Sequence, residues 1–141
     1  MQTFLPYPDF AQSAACLDNK RLGKQRVEAK QIYLALTPPT YGWQNHPAVK
    51  MWRGYEWKLL VYTEVICREW QRRGFNDTIL AWIPYEKCLA NNPSYSFPEW
   101  FGNEAFHLSH QSNLVRKDPV HYRKYFPTVP DDLPYVWPTK S

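Results

Sequence analysis

Between Ala15 and Leu36 the apolar residues Ala15, Leu22, Ala29, Ile32 and Leu36 fall on one helical face, with steps of three, four or seven. Asp18 and Gln25 stand on that same face, where a core-facing helix carries apolar side chains. Arg21 and Glu28 run beside it at the same period. A polar group on a buried stripe costs about 1–3 kcal/mol unless it is hydrogen-bonded. Two readings follow. Asp18 pairs with Arg21 and Gln25 bonds a backbone group, in a purely internal network. Alternatively, the stripe lines a polar pocket that a ligand completes. Gly23 sits in the middle and costs about 1 kcal/mol relative to alanine in a helix interior. Close approach of another backbone or a ligand accounts for it, and so does an exposed position.

Prolines punctuate the rest of the pattern. Residues 1–9 read as an extended arm, because Pro6 and Pro8 disfavour helix just before them. A helix from about Phe10 to Leu36 is stopped by Pro38 and Pro39. A second long helix is expected from Pro47 to Gly74, with Pro47 in its first turn and Gly74 as its C-terminal glycine. A loop-rich stretch follows, with a short helix around 78–82. A third helix spans about 103–117 and ends before Pro119, after which 119–126 adds a helical turn. The tail from Pro127 is rich in proline and aromatics and reads as an extended surface segment. No strand pattern and no repeat is present. The expected architecture is an all-α single domain over 1–141, with three main helices, an N-terminal arm and a C-terminal tail.

Composition sharpens this picture only in part. The chain is 44% hydrophobic and 17% aromatic, which is too apolar for a disordered segment. Its net charge of +4 suits a polyanionic partner without requiring one. The three cysteines are scattered and odd in number, so neither a disulfide framework nor a zinc site is indicated. There is no signal-peptide pattern at residue 1 and no apolar run long enough to span a membrane, so a cytoplasmic protein is expected.

The segment from Phe106 to Phe126 alternates basic groups with hydroxyls and aromatics, a mixture suited to a phosphate backbone or to a solvated helix end. His107 and His110 share a helical face, but no acid has a spacing that would complete a metal site with His46. Trp43, in the loop before Pro47, is a candidate stacking platform for a base. The phosphate-loop, dinucleotide, nucleophile-elbow and zinc-protease motifs are missing.

Three stretches carry a family resemblance. They are "LDNKRLGKQRV" at 17–27, "HPAVKMWRGYEWKLLVY" with "REWQRRGFND" at 46–77, and "EAFHLSHQSNLVRKDPVHYRKYF" at 104–126. In this order and spacing the chain resembles the pyrimidine-dimer DNA glycosylases, with Leu17, Arg26 and Val27 matching at the same distance from the start. The resemblance implies one all-α domain whose N-terminal arm threads between helices and brings an α-amino group to the DNA-binding face. It implies excision of a damaged pyrimidine from double-stranded DNA, followed by strand cleavage. The amine attacks C1′ of the sugar, an imine forms, and β-elimination breaks the backbone, with no metal or other cofactor. An α-amine, with an ordinary pKa of about 8, is far more often neutral than a lysine at physiological pH.

The chain departs from the family pattern twice. Gln2 stands where the family exposes a small residue by removing the initiator methionine, so the nucleophile becomes Met1 itself or a lysine such as Lys20 or Lys24. Gly23 aligns with the family's catalytic glutamate, leaving Asp18 or Glu28 to supply a carboxylate. The expected catalytic set is Met1, Asp18, Lys24 and Glu28. The expected DNA contacts are Arg21, Gln25, Arg26 and His46, then His107, His110, Arg116, Lys117, Tyr122, Arg123 and Lys124. A monomer is expected. A DNA-binding module of the same fold without catalysis, and an enzyme for another modified base or nucleotide, remain alternatives.

Overall fold

The computed structural model describes residues 1–37 and 45–138; Trp43 therefore lies outside the described residues. The first helix, α1 (Phe10–Cys16), starts at Asp9, whose carboxylate accepts the Gln12 N–H at 2.7 Å. The second, α2, spans Asn19–Leu36. The helix expected to run unbroken from Phe10 is thus interrupted at Leu17 and Asp18, and the cause is distant in sequence. The Asp18 N–H, which would continue α1, donates instead to the Tyr122 hydroxyl at 3.0 Å. The last carbonyls of α1 are taken by Arg73, at Ala14 and Ala15, and by the His121 ring, at Cys16.

The second expected helix is also divided. Helix α3 (Pro47–Lys50) is capped by the His46 ring, which accepts from the Ala48 N–H at 3.0 Å. A turn over 51–54 ends at Gly54, whose φ of +90° no other residue adopts readily. Helix α4 (Glu56–Arg72) follows and closes at Gly74, also at positive φ, where Phe75 N–H bonds the Trp70 carbonyl. A single 3-10 turn at Leu80–Trp82 and helix α5 (Tyr85–Leu89) occupy the stretch read as loop, so α5 is an addition. Helix α6 (Glu104–Lys117) is capped by Asn103, and α7 (Pro119–Tyr122) by Asp118.

The three longest helices, α2, α4 and α6, surround a core with Leu22, Ile32, Leu59, Ile66 and Leu114 at its centre. Trp52 and Tyr62 are fully buried in it, and Trp52 meets Trp100 edge to face. Among the described residues there is no strand, and no helix is long and apolar enough to cross a membrane. The all-α architecture read from the sequence is the one observed.

Candidate functional site

Residues 2–5 of the arm are buried although their backbone belongs to neither helix nor sheet. Such a segment must find its hydrogen bonds among side chains. Gln25, fully inside α2, supplies two of them. Its Oε1 accepts the Phe4 N–H at 2.9 Å and the Tyr62 hydroxyl at 2.7 Å. Its Nε2 donates to the Gln2 carbonyl at 2.9 Å and to a Glu28 carboxylate oxygen at 3.0 Å. All four hydrogen-bonding positions of the amide are used. The internal-network reading of Gln25 therefore holds, with the arm as the partner.

Helix α6 grips the arm from the other side. The Leu5 N–H donates to His110 Nδ1 at 2.9 Å, and His107 Nδ1 donates to the Leu5 carbonyl at 2.7 Å. Because Gly102 N–H donates to His107 Nε2, the His107 proton must be on Nδ1. Gln111 donates to the Pro6 carbonyl at 2.8 Å. Burial holds His107 below the ordinary histidine range, and burial with the His107 charge pushes His110 down to about 3. Other polar residues of α6 hold the tail: Ser112 accepts from Leu133 N–H, Ser109 from Val136 N–H, and Asn113 and Arg116 donate to the Leu133 and Asp131 carbonyls. The imidazoles and serine hydroxyls of the segment read as suited to a phosphate backbone or a solvated helix end are turned inward, onto arm and tail.

Where the arm crosses α2 a cleft of about 270 Å³ opens. Met1, Gln2 and Phe4 form one side, with Tyr135 of the tail. Arg21, Lys24, Gln25 and Glu28 form the α2 side, and Lys20 and Lys117 extend the cationic rim. Glu28 is the one carboxylate among these lining residues. The Met1 ammonium is also felt at His46, whose imidazole is held low by burial first and by that charge second.

The structure thus brings Met1, Lys24, Glu28, Arg21, Gln25 and Lys117 together and leaves other candidates elsewhere. Asp18 does not line the cleft; it accepts from the Tyr122 hydroxyl and from Arg21 at 3.2 Å. Burial raises its carboxyl, but the bonds from Tyr122 and Arg21 and the Arg21 charge outweigh burial and leave it below the usual range. Tyr122 is itself fully buried, so it offers no surface to DNA. His107 and His110 are buried as well. Arg123 donates to the Phe126, Pro127 and Val129 carbonyls and pins the turn after α7, while Lys124 is exposed. Arg26 pairs with Asp77 at 2.7 Å and lies over the Trp70 ring, 4.9 Å from its centroid. Sequence reasoning passed over Phe4 and Tyr135 as lining residues; only burial of the arm and docking of the tail place them there.

Gly23 has a packing explanation. A Cβ at this position would sit 2.9 Å from the Trp70 ring. That ring stacks on Phe75 and donates to the Asn76 carbonyl at 2.8 Å, so it has little freedom to move. Trp70 covers the place where a carboxylate at position 23 would stand.

The family model for pyrimidine dimer DNA glycosylase matches residues 1–83. The chain belongs to that family. No curated protein and no solved structure matches it. For a pyrimidine dimer DNA glycosylase the match is well placed, since every cleft residue except Lys117 and Tyr135 falls within it. The family acts in DNA repair on a DNA substrate, and the cationic rim suits a phosphate backbone. Among the described residues no cluster of three His, Cys, Asp or Glu side chains is arranged to hold a metal.

Proposed function

We propose that this chain removes a damaged pyrimidine from double-stranded DNA and then cleaves the strand at the resulting abasic site, using the Met1 amine and the Glu28 carboxylate. The observation that carries the reading is the double role of the Gln25 amide. One nitrogen binds both the Gln2 carbonyl, beside Met1, and the Glu28 carboxylate. Nucleophile and carboxylate are thereby tied to one buried anchor and open into one cation-rimmed cleft.

The neutral amine attacks C1′ as the glycosidic bond breaks, and the bond's electron pair leaves with the base. The proton lost by the amine passes to the departing base. Glu28 stabilises cationic character at C1′ and accepts protons during sugar opening and imine formation. Loss of a C2′ proton from the iminium then expels the 3′ phosphate, and water releases the protein from the imine. Each step is proton transfer or nucleophilic chemistry and needs no redox group. Residues beyond 83 belong to the same working unit, because α6 fixes the arm through His107 and His110.

The test is excision from ultraviolet-irradiated duplex DNA by wild type and Glu28→Gln. The amide still offers an oxygen to Gln25 but carries no charge. Excision is expected to fall about 10²–10⁴-fold with DNA binding retained. Undiminished excision would refute the role given to Glu28, and binding without cleavage by wild type would favour a non-catalytic DNA-binding module.

A further inference from the structure

Gln2 is 5% exposed and lines the cleft. Its amide orientation is set by the backbone, because Thr3 N–H donates to Oε1 at 2.9 Å. That leaves Nε2 with both of its N–H groups, buried and without a hydrogen-bond partner among the described residues. A buried donor left unpaired costs about 1–3 kcal/mol. The Gln25 amide, one layer deeper, has every position filled, so packing here is capable of satisfying an amide. Gln2 is held by its oxygen and keeps its donor unused, in a cleft that the Phe4 and Tyr135 rings also line.

We infer that Gln2 Nε2 is the donor that receives the O2 carbonyl of the pyrimidine being excised and stabilises that base as it leaves. The inference rests on the reading of the cleft as a glycosylase site with Met1 as nucleophile. O2 is attached to the ring carbon next to N1, and N1 carries C1′. A residue adjacent in sequence to the attacking amine is therefore suited to reach O2. When the C1′–N1 bond breaks, its electron pair passes to N1 and delocalises onto O2, so the N–H···O bond is stronger in the transition state than in bound substrate. Nε2 is closed to solvent in the unbound protein. A turn of the amide as the base enters brings the two atoms together, in a site that excludes competing water.

Abasic DNA separates this role from a structural one, because it has no base to leave. Gln2→Met removes the donor. Gln2→Glu keeps an acceptor for Thr3 N–H and replaces the donor by a charged oxygen that repels the departing base. Thermal melting establishes which variants fold, and Gln2→Met carries the test if the buried carboxylate of Gln2→Glu does not permit folding. The expected result is a loss of about 10²–10³-fold in single-turnover excision, with borohydride trapping of abasic duplex DNA by Gln2→Met at the wild-type rate; Gln2→Glu is read on excision relative to its own trapping, because its carboxylate also favours the protonated Met1 amine. Equal losses in excision and trapping by Gln2→Met would overturn the inference and assign Gln2 to holding the arm. Unchanged excision by folded Gln2→Met would overturn it while leaving the glycosylase reading intact. A wild-type protein that neither excises nor traps overturns the reading of the cleft itself, and the Gln2 role with it.

Discussion

Replacing Gln25 by leucine should be among the most damaging single changes in α2, despite putting an apolar side chain on an apolar stripe. Leucine has similar bulk, so the cavity term is small. What it removes is the partner of two buried backbone groups, the Phe4 N–H and the Gln2 carbonyl. The Tyr62 hydroxyl, released from Gln25, donates to the Phe4 carbonyl, 3.0 Å away, and Glu28 faces the open cleft, so neither is stranded. Two orphaned groups at about 1–3 kcal/mol each give a loss of about 2–6 kcal/mol. That is a large part of the roughly 5–15 kcal/mol by which a domain is normally stable. Urea unfolding followed by tryptophan fluorescence measures it, since Trp52 bonds Thr3 of the arm at 3.0 Å. A loss below about 1 kcal/mol would mean that the arm finds other partners and that Gln25 is not its anchor.

Gly23→Ala should destabilise by about 1–3 kcal/mol through contact with Trp70, although helix propensity alone favours alanine by about 1 kcal/mol; a stabilised variant in thermal melting would refute the packing argument. Acid should weaken the fold before carboxylates titrate. His110 is neutral in the folded protein down to about 3 and protonates near 6.5 when unfolded, so the unfolded state binds more protons between those values. Stability is then highest above about 6.5 and falls by about 1.4 kcal/mol per pH unit below it for His110 alone. His107 acts in the same direction. Urea titrations at stepped pH would read this slope, and a flat profile between pH about 6 and 4 would contradict the neutral-imidazole clamp. For DNA affinity against salt, Lys20→Gln or Lys117→Gln should each lower the log–log slope by about 1, whereas Lys124→Gln tests whether the contact surface extends past α7.

Much of the helical scaffold was legible because its signals are local. Asn103 and the Asp118–Pro119 pair bracket α6 within the expected range, and Gly74 ends α4 as a glycine after a long amphipathic run should. The two helix breaks were not legible for different reasons. At Leu17 and Asp18 the cause is a hydrogen bond to Tyr122, 104 residues away. At Gly54 the signal was present, a glycine inside a helical pattern, but only its φ reveals a turn. The polar residues of α6 were the hardest to interpret. Histidine, serine and asparagine on a helix look alike whether they face DNA or a buried chain without secondary structure, and only the arm and tail decide between them. On α2 the same polar pattern coincides with an open cleft. Arg21, Lys24, Gln25 and Glu28 do open into a cleft with Met1, but it was geometry that chose Glu28 over Asp18 for the lining.

Peptide mapping of the borohydride-trapped protein–DNA adduct tests the central claim most directly, because it names the nitrogen that formed the imine. With a lesion-bearing duplex and a protease digest, the account predicts that the sugar remnant is carried by the amine of Met1. An adduct on Lys24 would keep the chemistry in this cleft but take the nucleophile away from the arm. An adduct on a residue outside the cleft, or strand cleavage with no trappable adduct, would contradict the account.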